Sequence, residues 1–315
     1  MFKIYHYFLY AWYQYPWAFI LLLPASIVYQ IIISIRRFLY QKNYFKKYRA
    51  SVPVIVVGNF VVGGTGKTPM VIAIAKLLLQ AGFKPGIITR GYRSDNAAQN
   101  LLIDKNSDPT LAGDEPVLIA TQTGCPVVKN KNRAAGAAIL AKQCDIIISD
   151  DGLQHYGLIA DIKIAMQPDK IWLKNNFLLP AGPWRESKNL LKTVDFTVES
   201  QVEIEDIYPL NAENKARHDG PVHAVCAIAA PWRFFKLLND FGIKTINHAY
   251  PDHYLLTENN LKFEDALPIF ITEKDAVKCK NFNLANVWVV RIKTKLDPVF
   301  TTSLLNKISS LRISS

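Results

Sequence analysis

The sequence predicts an α/β protein: helices around a mainly parallel sheet, a second and smaller α/β lobe, and an apolar helix ahead of both. Three observations carry this. β-Branched runs alternate with helical patterns over residues 54–149, a second alternation begins near Val222, and residues 16–35 form an apolar run of bilayer length. Short strands alternating with helices imply parallel pairing, because each crossover helix returns the chain to the same end of the sheet.

The apolar run comes first. It lies within a stretch free of formal charge from residue 4 to residue 35, and its 20 residues span about 30 Å, the thickness of a hydrocarbon core. Tyr10, Trp12, Tyr13, Tyr15 and Trp17 cluster at its start, while Arg36, Arg37, Lys42, Lys46, Lys47 and Arg49 follow its end. That arrangement places the C-terminal side on the cytoplasmic face. Residues 1–40 are therefore expected to form a membrane-anchoring helix that spans the bilayer. Pro24 leaves a kinked, shallow interfacial helix as an alternative and a soluble apolar helix as a third. A cleaved signal peptide fits poorly, since no small-x-small site separates the run from the basic cluster.

After the basic linker 41–51, strand 54–57 is followed by helix 70–80, strands 86–89 and 101–103, helix 115–122, strand 127–128, helix 133–142 and strand 146–149. Strand 162–166 precedes a loop at 179–187, and 194–208 reads as extended chain before a polar linker at 211–220. The smaller unit then offers strand 223–228, helix 232–241, strands 243–249, 269–272 and 287–292, and a terminal helix at 299–308. The expected division is a main domain over 41–210 and a smaller one over 211–315, with a cleft between them able to close on substrates.

The 315 residues carry a formal charge of +11 and are 50% hydrophobic, enough to fill a core. The first acidic residue is Asp95; twelve Lys and Arg precede it, leaving 25 basic and 26 acidic residues beyond. The excess is wholly N-terminal, and its basic residues gathered beside the apolar run point to an anionic membrane surface and argue against nucleic acid. Cys125, Cys144, Cys226 and Cys279 show neither C-x-x-C spacing nor clustered histidines, so reduced, buried thiols are expected.

Residues Val61, Val62, Gly63, Gly64, Thr65, Gly66, Lys67 and Thr68 read V-V-G-G-T-G-K-T between a strand and Pro69, which suits a first helical turn. This is the context of a phosphate-binding loop, and it makes the fold P-loop NTPase-like. Glycines let successive backbone N–H groups face one concavity, with the helix N-terminus adding favourable potential for an anion. Lys67 is positioned to reach the β- and γ-phosphates, and Thr68 to offer its hydroxyl to Mg²⁺. The usual first glycine of the motif is replaced by Val61.

Residues 146–149 form an apolar strand ending at Asp150 and Asp151. Two carboxylates at the C-terminal end of a strand beside a phosphate loop are candidate Mg²⁺ ligands. Transfer of a phosphoryl group to an alcohol also needs a proton acceptor and cations facing the equatorial oxygens. Asp114 and Glu115 in G-D-E-P are candidates for the first role; Lys67, Arg90 and Arg185 are candidates for the second. Solvated Asp and Arg at helix starts are common, so spacing alone leaves each open to a structural reading. His155 and His253 are equally open on that ground.

Taken together, the strings G-N-F-x-x-G-G-T-G-K-T-P, T-R-G-Y, G-D-E-P, D-D-G-L-Q-H, L-P-A-G-P-x-R-E, R-F-F, P-D-H and T-E-K-D-A-V-K-C resemble the tetraacyldisaccharide 4′-kinase (lipid A 4′-kinase) family over residues 52–280. The resemblance implies ATP- and Mg²⁺-dependent phosphorylation of the 4′-hydroxyl of a tetraacylated glucosamine disaccharide 1-phosphate. It implies action at the cytoplasmic face of a bacterial inner membrane, among its lipids, by two α/β/α lobes bridged by a β-ribbon. It assigns Lys67 and Thr68 to phosphates and Mg²⁺, Asp150 and Asp151 to the metal, Asp114 to the catalytic base, His253 to its partner and Arg185 to charge stabilisation. Glu115, Gln154 and Glu186 match at second rank. Val61, Val62 and Trp184 depart from the family pattern without removing a reacting group. No obligate protein partner is evident.

The competing class is a membrane-associated P-loop ATPase switch, whose loop reads K-G-G-x-G-K-T; Val62 stands where that loop has its signature lysine. Thr272 and Asp275 are either adenine contacts or a helix cap.

Overall fold

The computed structural model describes residues 10–63, 65–90, 101–167, 173–211 and 220–313. Gly64 of the glycine loop, Gly91 and Tyr92 of the T-R-G-Y string, and residues 212–219 of the polar linker lie outside the described residues.

The apolar run forms a 3₁₀ turn, Pro16–Leu22, that continues directly into helix α1, Leu23–Gln41. Pro24 occupies the first turn of α1, where a missing N–H breaks no bond within that helix. By length and composition Pro16–Gln41 could cross a membrane. One stripe of α1, running through Leu23, Ser26, Tyr29, Ile33, Arg37 and Tyr40, turns toward the rest of the protein, while Ile27, Val28, Ile31, Ile32, Ile35 and Phe38 are each more than half exposed. The spacing of three and four along the stripe is that of one helix face.

Among the described residues the strands form two sheets. The first contains β1 (Val54–Asn59), β2 (Pro85–Thr89), β3 (Leu101–Ile103), β4 (Val127–Lys129), β5 (Ile146–Asp150), β6 (Ile162–Gln167) and β7 (Phe196–Glu199), in the order β3-β4-β2-β5-β1-β6-β7. Pairing is parallel except at the β3 edge. Alternate residues of β1 enter opposite cores. Ile55 and Val57 pack with α2 (Lys67–Gln80) on one face; Val54 and Val56 meet Leu153, Leu158 and Trp184 on the other. The two short helices α3 (Pro109–Ala112) and α4 (Asp114–Thr123) follow β3, and α5 (Arg133–Leu140) follows β4.

The second sheet contains β8 (Val202–Pro209), β9 (Val222–Cys226), β10 (Thr245–Ala249), β11 (Ile269–Thr272) and β12 (Val287–Thr294), ordered β10-β9-β11-β12-β8. Phe234 and Leu238 of α6 (Pro231–Asp240) pack on one face. The turn α7 (Glu273–Ala276) follows β11. β8 runs antiparallel to β12 from Val202↔Thr294 to Trp288↔Pro209, a long ribbon with one irregularity at Arg291/Ile292.

Two features correct the sequence reading. The extended chain 194–208 is two strands in different sheets, so the change of sheet falls between β7 and β8 and not at residue 210. The terminal helix α8 (Pro298–Ile313) returns to the first lobe: Phe300, Leu304 and Ile308 enter its core, and Phe300 meets Phe196 edge-on at 5.3 Å. Periodicity gives an apolar stripe but not the surface that buries it. All four cysteines are free and buried.

Candidate active site

β1 ends at Asn59, which is fully buried and donates through Nδ2 to Thr65 Oγ1 at 2.9 Å. Its Oδ1 accepts from Lys67 Nζ at 3.3 Å. Gly66, at φ +80°, precedes α2, so the lysine leaves the first turn and points back across the loop. A Cβ at Gly63 would strike the Tyr13 hydroxyl, and one at Gly66 would strike the Ser200 side chain. Val61 and Val62 belong to the scaffold: Val61 is 1% exposed and bridges to Trp184, and Val62 N–H donates to Pro183 O at 2.8 Å. Val61 and Trp184, two of the three departures from the family pattern, are thus neighbours.

β1 and β5 are adjacent, which brings Asp150 and Asp151 beside the loop. Asp151, at φ +50°, sits 3.6 Å from Lys67 Nζ and accepts from Arg185 Nη1 at 3.2 and 3.1 Å. Burial works against its charge, yet Lys67 and Arg185 hold the carboxyl down at about 2. Asp150 behaves oppositely. It is 4% exposed, and burial, then the charges of Glu115 and Asp151, pushes it up to about 7. Its Oδ1 has no hydrogen-bond partner among the described residues. A buried carboxylate oxygen with no donor is costly, and a divalent cation beside the phosphate loop would satisfy it. No group of three or more His, Cys, Asp or Glu side chains among the described residues is arranged to hold a metal. A cation that completes its shell with phosphate and water needs only one or two carboxylates.

Asp114 begins α4 on the first lobe; His253 lies on the loop after β10 in the second, at φ +63°. Across the cleft, His253 Nδ1 is 3.1 Å from both Asp114 carboxylate oxygens. Lys278 Nζ lies 3.7 Å from Asp114 Oδ2, and Lys274 Nζ lies 2.9 Å from Glu115 Oε1 and 3.2 Å from Asp252 Oδ1. Burial raises the Asp114 pKa, but the His253 hydrogen bond and the lysine charges overcome it and hold it at about 2. His253 and Asp151, neither of them glycine, both hold left-handed backbone, a strained conformation.

The remaining candidates separate into supports and bystanders. Gln154 Nε2 donates to Asn59 O at 2.9 Å, and Glu186, 3% exposed, accepts from the Tyr156 hydroxyl at 2.7 Å. Burial, helped by Arg133, drives His155 down to about 4, so it is neutral. Arg90 is exposed at the end of β2. Thr272 caps α7, its Oγ1 accepting from Asp275 N–H at 3.2 Å, and Asp275 accepts from Ala227 N–H at 3.0 Å. Asn59, Lys274 and Lys278 join the site from within the G-N-F and T-E-K-D-A-V-K-C strings, although spacing does not mark them as site residues. Arg133, 2% exposed, carries no motif signal either, yet donates to Asp150 O at 2.7 Å.

The carboxylate–imidazole pair and the loop-side carboxylates are linked through Glu115, the neighbour of Asp114, because the Glu115 charge acts on Asp150. The family model for LpxK, tetraacyldisaccharide-1-P 4′-kinase, matches residues 18–309. The tetraacyldisaccharide 4′-kinase of Pasteurella multocida is 41% identical, over 96% of this chain and 98% of its own. That of Hahella chejuensis is 38% identical, over 94% of each chain. The crystal structure of LpxK from Aquifex aeolicus in complex with ATP superposes with a TM-score of 0.76 at 28% identity, covering 91% of this chain and 98% of that one.

Proposed function

This chain belongs to the tetraacyldisaccharide 4′-kinase family, and we propose that its interlobe cleft transfers the γ-phosphoryl group of ATP to the 4′-hydroxyl of a tetraacylated glucosamine disaccharide 1-phosphate. The observation that carries the reading is the Asp114–His253 contact between the lobes, with the charge of the adjoining Glu115 acting on Asp150 at the end of β5, next to the Lys67–Asp151–Arg185 cluster.

The glycine loop from Gly63 to Thr68 receives the triphosphate, with Lys67 and Arg185 facing its terminal oxygens. Asp150 and Asp151, with Thr68, are the groups that would hold Mg²⁺, which when bound neutralises charge on the phosphates. The 4′-oxygen bonds to phosphorus as the bond to the β–γ bridging oxygen breaks; the hydroxyl proton passes to Asp114, and the electron pair leaves with ADP. His253 fixes the orientation of that carboxylate. The His253 hydrogen bond, with the charges of Lys274 and Lys278, keeps it ionised at neutral pH against the effect of burial. Such a carboxylate is a modest base, suited to a loose transition state in which the proton leaves late.

α1 supports association with a membrane, and its geometry favours lying in the interface over spanning. A helix bonded to the catalytic lobe from Ser26 to Tyr29, with Tyr40 against Tyr156, runs along the domain and does not leave it. Its exposed apolar side faces lipid, presenting the cleft to an amphipathic acceptor at the cytoplasmic surface of the inner membrane.

Incubation with γ-labelled ATP, Mg²⁺ and the disaccharide 1-phosphate tests the reading. Label on the lipid is expected; label released only as free phosphate would favour the ATPase switch, which Val62 and the family membership already disfavour.

A further inference from the structure

We propose that Tyr29 and Ser26 of α1, with Tyr13 ahead of it, are positioning residues that lock the Arg185 loop to the glycine loop, so that seating of α1 sets the turnover number. This rests on the kinase reading above.

Polar side chains are the anomaly on a helix otherwise dressed for lipid. Ser26 is 5% exposed; its Oγ accepts from Ala181 N–H at 3.0 Å and donates to Leu178 O at 2.9 Å. The Tyr29 hydroxyl donates to Arg185 O at 2.9 Å. Ahead of the helix, Tyr13 O accepts from Lys174 and Asn175 N–H at 3.1 and 2.9 Å, and the Tyr13 hydroxyl donates to Val62 O. A helix that only gripped lipid would need none of these.

The loop so held is the one that carries Arg185. Arg185 N–H donates to Phe60 O at 2.7 Å, so the backbone of this residue is pinned on one side by the end of β1 and on the other by α1. Its guanidinium meets Asp151 from that fixed base. Small displacements of a charge-stabilising group cost rate steeply, because the donors must already be aimed where charge develops. Tyr29 touches no reacting atom; it acts through Arg185.

Tyr29→Phe in the full chain is expected to lower kcat about five- to tenfold, the effect of one hydrogen bond, with KM for ATP and for the lipid acceptor within about twofold. In an Arg185→Ala background the same change is expected to cost nothing more, since the two act in series. Ser26→Ala is expected to follow the same pattern more weakly. Hydrogen exchange supplies a readout independent of activity: the amides of Val62 and Arg185 should exchange faster in Tyr29→Phe than in the parent. A rise in acceptor KM at unchanged kcat, additive losses in the Arg185→Ala background, or unchanged exchange at both amides would each overturn the proposal. A parent protein that puts no label on lipid would sink the kinase reading instead, and the exchange result would still decide the clamp.

Discussion

Asp114 is the residue on which the proposed chemistry turns. Its carboxyl, held at about 2, is charged throughout the physiological range, so it acts as a positioned acceptor and not as a group poised to titrate. Asp114→Ala is expected to reduce kcat by about 10²- to 10⁴-fold with ATP affinity unchanged; equilibrium binding and steady-state rates separate the two. The same shift bears on stability. A carboxyl depressed on folding contributes fully above its ordinary value of 3.8, and that contribution is lost as pH falls through about 2. Asp114→Asn should therefore cost about 2 kcal/mol at neutral pH, the gap to the parent closing between pH 4 and pH 2 in denaturant titrations. Little of this was legible in sequence. Nothing in spacing joins two residues 139 apart, and only the G-D-E-P and P-D-H strings, read together as a resemblance, named both. Lys274 and Lys278 were written in T-E-K-D-A-V-K-C, but their approach to Asp114 and Glu115 depends on how the lobes meet.

The glycine loop shows what is legible in an element. Strand, loop and helix were plain because β-branched residues, glycines and Pro69 each fit one local geometry. The valines at its start were harder, since Val61 answers to Trp184 in a distant loop. Gly66 is fixed by φ +80° and by the Ser200 side chain packed against it. Gly66→Ala adds left-handed strain of about 1–2 kcal/mol to that clash. A fall in ATP affinity of about tenfold or more follows, with the circular dichroism of the parent retained. Undiminished nucleotide binding would show that the loop tolerates a side chain there. Strands β7 and β8 mark the opposite limit: both read as extended chain, yet which sheet each joins is set by partners found only after the chain folds.

The molecule as a whole couples a lipid-facing helix to a cleft between lobes. Length and hydropathy foresaw the helix and its basic flank, and composition alone favoured spanning. Direction of burial was beyond them, because a helix shows which residues are apolar and not which neighbours it meets. If α1 lies in the interface, Ile31→Asp with Ile35→Asp should abolish flotation with anionic vesicles while sparing turnover on detergent-dispersed acceptor. An alkaline carbonate wash should also release the parent protein; retention in the pellet would restore the spanning helix.

The kinase site is tested most sharply by a crystal structure with a non-hydrolysable ATP analogue and the disaccharide 1-phosphate bound together. Phosphoryl transfer as proposed requires the γ-phosphate between Lys67 and Arg185, with the 4′-hydroxyl in hydrogen-bond reach of Asp114. A 4′-hydroxyl turned to any other side chain, or a γ-phosphate remote from Arg185, would contradict it.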